Sequence, residues 1–474
     1  RTFLCRLCLA FCWLVGGSSP LWANESISSV ETRLEESRNP LKLAVQWQGE
    51  SFFADKMPTR GRPQRLFMSL QLEGAGSARV GAFEADGAAR GYLGVPSVAE
   101  YSSFEIMEAS VGAALVRTRE TKLGLYLGRR RQDWSIIDRA WSLGVTEPSF
   151  RWDPLRPSRN GLTGIFVELK SRGFEFVAFG SGIAIPESGP SSAIRNGIFT
   201  SSHPFYLPPP ENAPLIGVDT PIRYTIEMPS IEKLILKPSV GGLMGYEHNG
   251  FFAHAAYQYK PLTKPLLSMR SQGIYNLSTE QIEPVLRPQI VQSHVVSADV
   301  GYRSETISPW VSALWDSPEA PIFEPGYTTQ RFPAGGWLGF GSDFSVFKGK
   351  AKLSYLQSFL GVASDVGPLS TGGYDGFFES RYMFRQAVSA QFSYPLFQNA
   401  FSSVSWMGRV VRDFAVGGTL LTSEIEWRPI NRLSLTLGAD LISAQVSSAS
   451  NGGADFLNDM QNFDRVRGAL RFEL

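Results

Sequence analysis

The sequence predicts an all-β fold, a transmembrane antiparallel up-and-down β-barrel, and three observations carry that prediction. Apolar and polar residues alternate with period two through most of the chain, the pattern of a sheet with one apolar and one polar face. The alternating segments run for about 9–15 residues, longer than the ~5–6 of most soluble strands and matched to the ~9–11 that a tilted strand needs to cross a bilayer. The connections between segments alternate long and short, as they do when one end of a barrel is trimmed to tight turns.

Composition agrees. The 474 residues are 43% hydrophobic, 12% aromatic and 19% charged, with a net charge of +1. That is too apolar for a disordered chain and offers no basic excess for nucleic acid. Beyond residue 23 no apolar run approaches the ~20 residues of a membrane helix.

Residues 1–23 read as a secretory signal. Arg1 and Arg6 lead into the apolar stretch 7–15, residues 16–20 break it, and Ala23 precedes Asn24. Export through the Sec pathway with cleavage after Ala23 is the expectation. Cys5, Cys8 and Cys12 all fall inside this segment, which leaves the exported chain without disulfides or thiolate sites. The segment carries two Arg and no acid, so its removal brings the net charge to −1. Residues 24–40 follow as a short periplasmic segment and 41–474 as the barrel.

The first strands are expected at 41–50, 65–73 and 79–86, with 74–77 as a tight turn. Fifteen more follow at 102–117, 121–130, 162–171, 173–183, 232–246, 249–260, 288–302, 304–316, 334–346, 350–360, 380–394, 398–411, 417–428, 431–446 and 464–474. The total is 18, with 16 as the alternative if 41–86 supplies one strand alone. Either number is even, so both ends of the barrel lie on the tight-turn side. The clearest strand sets Leu433, Leu435, Leu437, Ala439 and Leu441 against Arg432, Ser434, Thr436, Gly438 and Asp440. Trp315, Trp337, Tyr394, Trp406 and Trp427 fall near strand ends, where aromatic rings suit the membrane–water boundary. The proline-rich stretch 184–231 reads as a long loop, with 222–227 open to a strand.

Alternation also sorts charge. The polar faces carry 13 basic residues against eight acidic ones, which predicts a lumen more positive than the protein as a whole and a preference for anions. The pore-lining candidates are Arg130, Lys260, Lys352, Arg381, Arg385, Arg409, Arg432, Asp440, Arg467 and Arg471. The loop 129–161 interleaves Arg, Asp and Trp densely: Arg129, Arg131, Asp133, Trp134, Asp138, Arg139, Trp141, Asp153 and Arg156. Two readings fit it. Either the loop folds inward and its guanidiniums grip carboxylate or phosphate groups, or the cluster packs the loop over the barrel mouth. Proline-stiffened 186–206 is a second candidate for a constriction or plug.

Catalysis finds little support. His203, His248, His254 and His294 lack metal-ligand spacing, no Gly-x-Ser-x-Gly elbow occurs, and no phosphate-cradling loop is present. Neither a metal nor a cofactor is expected. His203 with Ser201 or Ser202 is the one pairing with nucleophile chemistry in reach.

The signal segment, the alternating strands and the last strand together resemble bacterial outer-membrane β-barrel proteins. In that class the final strand is apolar at alternate positions and ends on an aromatic residue. Val466, Leu470 and Phe472 match, and Leu474 stands in the terminal place. The resemblance covers the whole exported chain and implies a Gram-negative outer-membrane location among lipids. It also implies insertion by the barrel-assembly machinery through 464–474. Size and layout are similar to general porins and to alginate-type polysaccharide-export barrels. The resulting expectation is a non-enzymatic, porin-like channel, mildly selective for small anionic solutes. The alternatives are an export or surface-retention barrel for an acidic polysaccharide and a plugged structural or adhesion barrel.

Overall fold

A computed structural model describes residues 42–53, 66–95, 102–201, 203–206, 209–215, 217–270, 274–322, 324–329, 332, 334–360, 383–415, 417–444, 456–461 and 463–474. The signal segment, residues 24–40 and Arg381 lie outside these. Eighteen strands form one sheet. In chain order they are β1 (Lys42–Phe52), β2 (Leu66–Val80), β3 (Phe83–Val95), β4 (Ser103–Arg117), β5 (Thr121–Arg130) and β6 (Leu162–Ser171). Next come β7 (Phe174–Ser181), β8 (Ser239–His248), β9 (Phe251–Pro261), β10 (Gln292–Tyr302), β11 (Ile307–Pro318) and β12 (Gly335–Val346). The last six are β13 (Gly349–Leu360), β14 (Gln386–Gln398), β15 (Ser403–Asp413), β16 (Gly418–Ile430), β17 (Leu433–Ser443) and β18 (Arg465–Glu473). Each pairs antiparallel with its successor, and β18 returns to β1 from Ala44↔Glu473 to Phe52↔Arg465, so the sheet closes.

Closure leaves no unpaired sheet edge, which is the condition for a sheet in hydrocarbon. The outer face meets the other condition. Leu43, Trp47, Phe104, Ile106, Leu125, Leu127, Ile165, Val296, Val300, Phe340, Leu437 and Leu441 all point away from the interior and are exposed. No described helix is long and apolar enough to cross a membrane. The strands do the crossing, and the chain is a membrane-spanning barrel.

Eight connections are tight and gather at one end with the start of β1 and the end of β18. Asn249–Gly250 joins β8 to β9 with φ of 49° and 85°, the left-handed pair that a two-residue hairpin requires. Arg172–Gly173 does the same between β6 and β7, with φ of 47° and 86°. Aromatic pairs ring this end, Phe174 on Tyr246 at 4.5 Å and Phe251 on Tyr302 at 4.8 Å.

Some expectations move. Residues 74–77 are not a turn: β2 runs on to Val80 and the chain reverses at Gly81 and Ala82. Their small residues hide the alternation, while Gly81 supplies the positive φ of 61°. The strand expected from 232 starts at Ser239, after a short helix at Ile231–Ile235. The strand expected at 380–394 sits at Gln386–Gln398, and the turn to the next strand falls at 399–402. Within 222–227 only Thr225–Ile226 is strand, and it belongs to a four-stranded sheet outside the barrel. That sheet joins the loops 182–238, 262–291 and 319–334 into a cap with Ile222, Tyr224, Ile282 and Leu286 at its centre. Trp337 does not mark the membrane boundary. It faces inward and is 2% exposed in an apolar core inside the barrel.

Candidate functional site

The loop between β5 and β6 enters the barrel and crosses to the far wall. Its short helix α1 (Ile136–Trp141) starts at Ser135, whose hydroxyl accepts from the Asp138 N–H, and stops at left-handed Ser142. The buried Asp138 carboxylate then folds the chain back by accepting from the N–H groups of Gly144, Val145 and Thr146, at 2.8, 3.2 and 2.7 Å. Wall residues hold the helix. The N–H of Ile136 donates to Asp299 on β10 at 3.2 Å, and that of Ile137 to the Ser312 hydroxyl on β11 at 3.1 Å. Ile137 lies over Gly339 of β12, where a Cβ would sit 2.6 Å from its Cδ1. Only glycine lets the helix approach this closely.

Around this helix the long-loop half of the lumen is filled. Val295, Leu314, Trp337, Leu356, Ala387, Val411, Leu420 and Ile442 from the wall pack with Ile137, Trp141, Phe205, Phe456, Leu457 and Phe463 from three loops. Trp141 stacks edge-on against Phe384 at 5.5 Å, and Trp134 against Phe179 at 6.3 Å. Each large apolar side chain buried this way contributes about 1.5–3 kcal/mol. The tight-turn half stays wet: Lys122, Lys170, Glu175, Glu247, Asp343 and Lys352 keep exposed or half-buried side chains.

The Arg–Asp–Trp loop does fold inward, but its guanidiniums grip the protein's own carboxylates and its tryptophans pack. At the neck Arg129 pairs with Glu105 at 3.1 Å, Arg130 with Glu168 at 3.0 Å and Asp86 at 3.3 Å, and Arg131 with Glu108 at 3.6 Å. Asp133 bridges Arg139 at 2.6 Å and Arg159 at 3.4 Å. Arg159 also reaches Glu147 at 2.7 Å, and burial pushes that carboxyl up to about 7 against the pull of Arg159.

Further along the loop, Arg156 contacts Glu424 at 3.2 Å and Asp440 at 3.1 Å on the β16–β17 wall. Arg465, fully buried, binds Glu50 at 3.0 Å, Asp153 at 2.6 Å and Asp440 at 2.8 Å. Arg467 pairs with Glu424, and Arg471 with Glu73, which also holds Arg90 at 2.7 Å. Arg409 differs. It reaches the Ser389 hydroxyl at 3.4 Å, makes no ion pair among the described residues, and is near enough to Arg156 to be repelled by it.

The other candidates scatter. Lys352 faces the wet half, 3.9 Å from Asp343. Lys260 is buried under the loops, with its ammonium 3.4 Å from the Pro261 carbonyl. Arg432 is exposed in a tight turn, and Arg385 precedes β14 with its N–H on Asp413 at 2.9 Å. In the segment 186–206, His203 sits edge-on against Trp152 at 4.2 Å, and burial lowers its imidazole to about 3. Its backbone N–H, not its ring, meets the Ser201 hydroxyl at 3.1 Å. No group of three potential metal ligands occurs among the described residues.

The basic excess read from the sequence dissolves. Among the described residues nine further carboxylates turn inward: Glu50, Glu73, Glu84, Asp86, Glu105, Glu108, Glu247, Asp316 and Asp413. Arg79, Arg90, Arg117 and Arg465 join the basic side, which leaves the interior near balance. The signal for these residues is the same alternation, carried through β1 to β4, to the ends of β8, β11 and β15, and to the first residue of β18.

No protein-family model and no curated protein matches the chain. Solved structures do align. OpdK of Pseudomonas aeruginosa is 11% identical over 92% of this chain and 98% of its own, with a TM-score of 0.43. OmpF of Salmonella typhi, in complex with daunomycin, is 14% identical over 92% and 97%, with a TM-score of 0.41. OccAB4 of Acinetobacter baumannii is 10% identical over 92% and 98%, with a TM-score of 0.42. The strand number and the closure described above rest on this chain's own pairing.

Proposed function

We propose that the protein is an outer-membrane, porin-like channel whose conduction is set by the loop 131–161 inside its lumen. The observation that carries this reading is the loop's docking across the barrel, through Ile136 on Asp299 and Ile137 on Ser312, above a wet and charged tight-turn half. A loop held in that way narrows a passage at a defined depth, and the field of nearby charges then biases which solutes pass. With the interior charges mostly paired, selectivity is mild and local. Arg409, which makes no ion pair among the described residues, favours small anions at the constriction. The protein works without a cofactor.

Single-channel recording in planar bilayers tests this. Small, steady current steps with a reversal potential shifted toward the anion are expected. A second reading has its own support: the continuous apolar packing from Phe52 and Phe205 to Leu457 and Phe463 is what a plugged, non-conducting barrel would show. Absence of current from correctly inserted protein selects that reading over the channel.

A further inference from the structure

The barrel wall is lowest where β7 meets β8. β7 has 8 residues. At about 3.3 Å per residue and a tilt near 45°, a strand of that length rises roughly 19 Å, short of the ~25 Å apolar band of a membrane barrel. The missing height lies at the long-loop end, because the aromatic pair Phe174 and Tyr246 anchors the other end.

Beyond the short wall the chain stays apolar on its exposed side. Ile183 and Ile185 follow β7, and Met228, Ile231 and Leu236 precede β8, with exposures of 68%, 64% and 56% for the last three. These segments lie together. The Ala184 N–H donates to the Ile235 carbonyl at 2.8 Å, and the Pro238 carbonyl accepts from the side chain of Gln292 at 3.0 Å. Gln292 points outward at the long-loop end of β10, so this backbone hugs the outer side of the wall. Val240, the next outward residue on β8, is itself exposed at 52%. The patch is therefore continuous with the lipid-facing surface and fills the height that the strands leave open.

We infer that residues 183–185 and 228–236 lie in the outer part of the bilayer and complete its apolar belt in this sector, so that lipid holds the base of the cap. The occupant is acyl chain, since the patch extends a surface already facing lipid. Glu232 and Lys233, exposed on the same short helix, extend to headgroup level. The inference rests on the membrane-barrel reading.

Spin labels test it in lipid vesicles, in a background where Cys5, Cys8 and Cys12, the only cysteines, are serine. The labelled variants are Ile231→Cys and Leu236→Cys, with Val300→Cys on the barrel wall and Leu277→Cys at the cap surface as references. Labels at 231 and 236 should match that at 300, open to oxygen and shielded from an aqueous nickel chelate. Chelate access equal to that at 277 overturns the inference. Shielding from both reagents overturns it too, in favour of a second copy on the patch. A label at 300 that behaves like the one at 277 removes the membrane reading itself.

Discussion

Arg465 of the last strand donates to Glu50 of the first at 3.0 Å, across the seam where the barrel closes, and neither side chain is open to solvent. The same guanidinium reaches Asp153 in the folded-in loop and Asp440 on β17. One side chain thus ties closure of the wall to seating of the loop. Breaking a buried pair from one side leaves charge uncompensated, at a cost of about 3–5 kcal/mol.

Arg465→Ala should therefore destabilise the barrel by about 3–5 kcal/mol, because it strands Glu50 and Asp153 and leaves Asp440 to Arg156. Glu50→Gln should cost less, since Arg465 keeps Asp153 and Asp440. Urea unfolding in lipid vesicles measures both, and equal losses would mean that the seam pair acts alone.

Gly339→Val should push α1 off the wall. The new side chain would occupy the place of the Ile137 Cδ1, and overpacking costs about 1–3 kcal/mol locally. The same Cβ would come 2.9 Å from the Tyr355 carbonyl oxygen on β13, so the wall must also give locally; with the barrel still closed, the expected result is a wider or fluctuating single-channel conductance. Unchanged conductance would show that the loop does not set the current.

Arg409→Ala should lower the anion-to-cation permeability ratio read from reversal potentials, and Arg409→Lys should largely keep it. Arg467→Ala should move it less, because Arg467 is already matched by Glu424. A ratio that ignores Arg409 assigns this residue to packing.

Glu147 should make loop docking pH-dependent. Its docked pKa of about 7 lies above the ordinary 4.5, so the docked loop holds the proton more tightly than the free loop. The stabilisation is full below pH 4.5, falls as pH rises and is gone above about 7, with a total near 3 kcal/mol. Hydrogen exchange at loop amides, corrected for intrinsic rate, should be slower at pH 5 than at pH 8. Glu147→Gln should flatten the difference.

The sequence by itself determined the strands, their even number, the side on which the termini lie and the face each strand turns to lipid. These follow from alternation and turn chemistry, which are local: Asn249–Gly250 makes its hairpin whatever the rest of the chain does. Where the local signal was weak, as in the small residues 74–77, the turn was placed early. Only the tertiary structure decided what the interior charges meet. Arg156 and Glu424 are 268 residues apart, and Arg465 and Glu50 are 415 apart. Their encounter depends on the stagger of the closed sheet and on the loop's path across it. The same holds for Trp337, which a strand-end position marks for the membrane boundary and which closure turns into the apolar core beside α1. Alternation tells which way a side chain points; only closure brings its partner to it.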